Sequence, residues 1–173
     1  RPNACNQCHL EKTLEWTAAR LSEWHDIKPP QLSPDEAGVA ASVLWTLRGD
    51  AGQRALMAWS FGWDSAKAAS GYEWTAPYLA NLLSDPYDAV RYIAQRSLRR
   101  LPGYESFVYD FTAPQAQLHE ASERALQIWT ARRIESGLSG YEDALINSDG
   151  SLQTETINRL LLQRDNSPIV LNE

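Results

Sequence analysis

The spacing Cys5-Asn6-Gln7-Cys8-His9 constrains this chain more than any other feature. Two thiols three positions apart, followed at once by an imidazole, form the C-x-x-C-H pattern that reads as a site of covalent c-type haem attachment. The chemistry sets the spacing. Each thiol can add to one of the two vinyl groups on a haem edge, and the adjacent His then ligates the iron. No other cysteine occurs, so Cys5 and Cys8 are expected to hold one haem c, with His9 as proximal ligand. Two other uses of the pair fit less well. A redox dithiol normally stands beside alternating strands and helices, a pattern absent here. A zinc site wants four protein ligands, so Cys5, Cys8 and His9 would need His25 or His119, and no second C-x-x-C exists.

Helix punctuation recurs along the rest of the chain. Leu14, Thr17, Ala18, Leu21 and Trp24 mark one face of a helix over residues 11–25, and Pro29-Pro30 ends any continuation. Ser33-Pro34-Asp35-Glu36 is a capping box with Pro at the first position. It opens a helix over 34–47 whose buried stripe is Val39, Ala40, Val43, Leu44 and Leu47. Asp50 caps a helix over 51–61, with Ala55, Leu56 and Trp59 inward. Gly62 to Gly71 reads as a turn or a single helical turn. Thr75-Ala76-Pro77 opens a helix to Leu83, and Asp85-Pro86 caps another that runs to Leu101, with Val90, Ile93, Ala94 and Leu98 as its apolar face. Tyr104 to Thr112 is aromatic and irregular. Pro114 begins a long helix with Leu118, Ala121, Ala125, Leu126, Ile128 and Trp129 inward, ending by Gly137. Asp149-Gly150 suggests a very small hairpin, residues 154–163 a last helix, and Pro168 onward an extended tail. The expected class is all-α, with the pairs 34–47/51–61 and 75–83/86–101 as stacked antiparallel hairpins. The organisation expected is a haem-attachment segment and first helix (1–30), helical repeats (31–135), and a C-terminal helix and tail (136–173) packed into the same domain.

Asp85-Pro86, Val90-Arg91, Ala94, Leu98 and Leu101 fall at the spacing of a HEAT repeat. The chain as a whole resembles the C-terminal region of a family of bacterial multihaem c-type cytochromes that carry HEAT-like helices after their haem motifs. The resemblance rests on residues 2–9, Trp16-Thr17-Ala18, residues 40–44, Gly49-Asp50-Ala51-Gly52-Gln53-Arg54-Ala55, the repeat from Asp85 to Leu101, and Gln163-Arg164-Asp165-Asn166-Ser167-Pro168. It implies electron transfer outside the cytoplasm and further C-x-x-C-H motifs upstream. Only one such motif is present here, so the chain is expected to be the last haem site plus the helical part of a longer product, in the periplasm or an equivalent compartment. A redox partner protein or other haem subunits are the expected partners.

Composition narrows the choice further. A formal net charge of −6 argues against nucleic acid, which calls for a basic face. The run Arg96 to Arg100 reads as a solvated helix face. No apolar stretch approaches the ~18 residues of a membrane span. Seven Trp and seven Tyr suit helical cores and the surroundings of a porphyrin. No Ser/His/Asp or paired-carboxylate arrangement stands out, and the acidic residues read as solvated faces, so catalysis is expected only at an open haem iron, if at all. An alternative is a helical-repeat scaffold in which the haem is structural or part of a longer wire. For the sixth iron ligand, Met57, His25 and His119 are the internal candidates. One helix joining His9 to His25 would put them about 24 Å apart, too far to face each other across a porphyrin. If three helices run up, down and up, Met57 falls near the haem end and is the best internal candidate.

Overall fold

Helix caps written in the sequence set the element boundaries of the computed structural model, which describes residues 1–136 and 138–168. Ten α-helices follow one another among the described residues: α1 (Ala4–Cys8), α2 (Leu14–His25), α3 (Pro34–Gly38), α4 (Ala41–Arg48), α5 (Ala51–Ser60), α6 (Asp64–Ser70), α7 (Ala76–Leu82), α8 (Asp88–Leu98), α9 (Gln115–Ser136) and α10 (Thr154–Leu161). No strand occurs among these residues; there are two isolated bridges, Thr13 with Ala40 and Ile146 with Leu152. The second is the small pairing expected around Asp149-Gly150. The fold is all-α. Gly137, the expected end of the long helix, and the tail beyond Pro168 lie outside the described residues.

Ser33 and Glu36 form the reciprocal capping box of α3, and Asp50 and Gln53 form another on α5; each satisfies two backbone N–H groups that a helix start leaves orphaned. Two expected helices are broken. The one over 11–25 begins only at Leu14, capped by the Thr13 hydroxyl on the Trp16 N–H. The one over 34–47 divides at Val39-Ala40. There the backbone turns extended, and the N–H groups of Ala40 and Ala41 donate to the carbonyls of Asp143 and Lys12. A long-range partner for each amide replaces the intrahelical bond, so the helical pattern yields to tertiary contact. The stretch expected as a single turn, by contrast, is the seven-residue helix α6.

The core is one contiguous cluster running from Leu10 through α4, α5, α7 and α8 to Leu160. Residues 41–47 of α4 are all buried, the signature of a helix enclosed on every side. Trp74, Phe61 and Tyr78 form an aromatic centre of edge-on and stacked rings, and burial pushes the Tyr78 hydroxyl far above the ordinary tyrosine range. The inward face of α5 differs from the expected one. Ala51, Arg54, Met57, Ala58 and Phe61 point inward, whereas Trp59 is 54% exposed. Trp24 of α2 and Leu126 of α9, also expected inside, are exposed.

Nor are all acidic residues solvated. Asp85 and Arg54 are both completely buried, with Asp85 Oδ2 2.7 Å from Arg54 Nε and Oδ1 3.2 Å from Nη2. Arg54 Nη1 donates to the carbonyls of Gly49 and Asp165, and Arg91 Nη1 donates to the Asp85 carbonyl. Arg164 stands 3.6 Å from Asp85 and donates to Leu47 O and Asn81 Oδ1. The hub thus joins α5, the turn before α8 and the segment after α10. Asp85, expected as a helix cap, does take the Tyr87 N–H, but its chief partner is a guanidinium. At the same end of α5, Arg1 and Pro2 line an open hollow with Asp50, Gly52, Gln53 and Leu56.

Candidate functional site

The two thiols stand on one turn of helix. Asn3 caps α1 by accepting the Asn6 N–H at 3.0 Å, and the His9 N–H closes the helix on the Cys5 carbonyl at 2.8 Å. Positions three apart share a helix face, so Cys5 and Cys8 are presented together. Both are free thiols of intermediate exposure. His9 follows as the C-cap, half-exposed, and its ring lies 5.0 Å from that of Trp16, tilted by 51°. The imidazole makes no hydrogen bond among the described residues.

What holds this turn is the residue between the cysteines. Asn6 is completely buried. Its amide donates to the Lys12 carbonyl at 3.0 Å and its oxygen accepts from Thr17 at 2.7 Å and Asn3 at 2.9 Å. A second clamp closes from α6: Ser70 Oγ donates to the Cys8 carbonyl at 2.7 Å and accepts the Leu10 N–H at 2.8 Å. Ser42 of α4 donates to the Leu10 carbonyl at 2.6 Å, and Leu10 itself is buried in the core. The C-x-x-C-H turn is therefore fastened on its inner side, through Asn6 and backbone, while its thiols and imidazole remain on the outer side. Nothing in the motif pointed to Asn6, Ser42 or Ser70; the one signal was the Asn3/Asn6 spacing, which suits a reciprocal cap. Beyond the site, burial raises the Asp143 carboxyl, opposed by Lys12 and aided by Glu142, and burial likewise raises the Tyr141 hydroxyl, helped by Glu73 and Glu11.

Asn6→Ala is expected to lower stability by about 1–3 kcal/mol, because it strands the buried Thr17 hydroxyl and takes from the Lys12 carbonyl one of its two donors, leaving the Ala41 N–H. A urea titration would read the loss as a lower midpoint at unchanged slope.

The other candidate ligands are dispersed. His25 is the exposed last residue of α2, and the break at residues 9–13 means that no single helix joins it to His9. His119 is exposed on α9, 3.0 Å from Gln115. Met57 is completely buried in the core, on α5, which touches α1. Among the described residues no three His, Cys, Asp or Glu side chains gather as a metal-ion site, Cys5, Cys8 and His9 included. Also among them, no helix is long and apolar enough to cross a membrane. Comparison of the chain with protein-family models, with curated proteins and with solved structures finds no match.

Proposed function

We propose that this chain is a c-type cytochrome module that transfers electrons outside the cytoplasm through one covalently held haem. The observation that carries the reading is the presentation of two free, half-exposed thiols on one face of α1, with the imidazole of His9 at its end, against the Trp16 ring and without a hydrogen bond among the described residues. Such a set fits haem c: Cys5 and Cys8 would form the thioethers and His9 would ligate the iron. The haem supplies the one-electron chemistry. The protein's part is to hold the attachment turn still through Asn6, Ser42 and Ser70, to keep the Trp16 ring against the imidazole, and to bury one side of the site in the core. Burial and axial ligation are the levers that set a haem potential.

The remaining helices suit a HEAT-like stack. α4 touches α5, α7 touches α8, and the two pairs meet through α5 and α8, with α9 on α7. This supports the helical-repeat part of the reading alone; from the resemblance of its motif and helices, the chain would be the last haem segment of a larger multihaem protein, working with a redox partner protein or other haem subunits in the periplasm.

The test is the intact mass of the exported chain after denaturation. One haem increment on the polypeptide is the expected result; the unmodified mass would overturn the reading. Low-spin optical bands in both oxidation states would mark a carrier, whereas carbon monoxide binding by the reduced form would mark an open iron.

Met57 is the internal candidate for the opposite face of the iron. Met57→Leu nearly conserves volume and should change stability by less than about 1.5 kcal/mol. For a ligand the expected result is loss of the long-wavelength ferric band of a Met–iron bond; an unaltered spectrum assigns the side chain to core filling alone.

A further inference from the structure

On a chain of net charge −6, one face is cationic and aromatic. A groove of about 240 Å³ runs between α5 and α8, lined by Trp59, Ile93, Arg96, Ser97 and Arg100. Trp59 is more than half exposed, and the Trp63 ring meets it edge-on at 4.8 Å, which fixes its orientation. Tyr92, also exposed, lies beneath the Arg96 guanidinium at 5.7 Å and against Phe111 at 5.2 Å. Asp64, at the start of α6, pairs with Arg100 at 3.2 Å and Lys67 at 2.8 Å. Arg96 has no carboxylate within ion-pair distance among the described residues, whereas Arg99 does not line the groove and donates through Nε to the Glu105 carbonyl at 3.2 Å.

Exposed Trp and Tyr held rigid by their neighbours, and Arg beside them, are the residue types that dominate binding energy in protein interfaces. Their orientation is already fixed, so binding them costs little side-chain entropy. The basic run that looked like an ordinary solvated face is thus bordered by a preformed aromatic slot. We propose that this α5–α8 face docks an acidic segment of a partner protein that inserts one apolar or aromatic side chain beside Trp59. Charge complementarity selects the occupant. Arg96, the groove's one guanidinium without an ion pair among the described residues, offers a carboxylate a single short-range partner, whereas a polyanion such as nucleic acid calls for a broad basic face. The inference stands apart from the haem reading, because no group in the groove belongs to the cysteine site.

The test uses the full chain with its tryptophan indoles followed by nuclear magnetic resonance. The probe is a short peptide alternating Glu with Phe, compared with its Lys–Phe counterpart, an oligothymidylate and vesicles of anionic lipid. A saturable shift of the Trp59 indole with the Glu–Phe peptide alone, weakened by salt, is the expected result. Arg96→Glu should weaken it about tenfold, and Trp59→Ala should abolish tight binding. Both side chains are exposed, so both variants should keep the parent's circular dichroism; the milder Arg96→Gln should weaken binding in the same direction, and serves if either loses structure. The proposal is overturned by no saturable shift, by equal binding of the Lys–Phe peptide, by tighter binding of oligothymidylate or vesicles, or by a response untouched in Arg96→Gln.

Discussion

Asp85→Ala is expected to reduce the free energy of unfolding by about 3–5 kcal/mol, the range for breaking one side of a buried ion pair. The substitution leaves the Arg54 guanidinium, wholly screened from water, with two carbonyl acceptors, Gly49 and Asp165, and no counter-charge. It also removes the acceptor for the Tyr87 N–H and the anion nearest Arg164. Urea unfolding followed by far-ultraviolet circular dichroism would measure the effect. A loss below about 1 kcal/mol would put the pair in the class of exposed ion pairs and show that the hub does not bear on stability. Replacing both partners, as Arg54→Met with Asp85→Leu, should recover much of the loss, because the completely buried cation goes with its counter-ion and only the partly exposed Arg164 is left without that carboxylate. That recovery would assign the damage to the orphaned cation rather than to missing packing. Arg164→Ala should cost less than either, since Arg164 is partly exposed and farther from the carboxylate.

The second large effect is all-or-none. With Cys5→Ala and Cys8→Ala combined, the exported chain should retain no haem under denaturing conditions, while each single variant should retain a reduced amount through one thioether. Retention by the double variant would place attachment elsewhere. The structure separates this outcome from misfolding. Neither thiol takes part in the bonds that fasten α1, which run through Asn3, Asn6, Ser70 and backbone groups. The haem-free double variant should therefore keep the parent's haem-free unfolding midpoint. Trp16 offers a check within the same samples, because its ring lies against His9 and its fluorescence should be quenched only where haem is held.

How far these features could be read in advance depended on where the physics resides. Caps are local chemistry, and Ser33 with Glu36, Asp50 with Gln53 and Thr75-Ala76-Pro77 mark real helix starts. The break at Val39-Ala40 was hidden because the Ala40 and Ala41 amides go to the distant carbonyls of Asp143 and Lys12, and the one at Lys12-Thr13 because the Lys12 carbonyl takes that Ala41 N–H instead of one from its own helix. On α5 an Arg falls on the same face as Ala51, Met57, Ala58 and Phe61. An Arg on an apolar stripe is the one sequence sign of a buried charge, yet its partner is 31 positions away and no local pattern names it. The exposure of Trp24 and Trp59 shows the converse: periodicity finds a stripe but does not say which of two adjacent stripes is covered. Asn6 occupies a position that the motif leaves free, because the motif describes what the haem requires and is silent on what the helix beneath requires.

The meeting of residues around the first turn of α5 also governs how this fold could be coupled to anything else. Arg1 and Pro2 border Asp50, Gly52 and Gln53. From the other side Asp165 gives its N–H to the Arg48 carbonyl and its own carbonyl to Arg54. Arg1 and Pro2 and the segment after α10 are therefore gathered at a single pole of the fold. A pull on the segment after α10 would load the Tyr87–Ser167 bond and then the Arg54–Asp165 fastening before it reached the core. Thermodynamic support and mechanical strength are thus concentrated in the same few side chains.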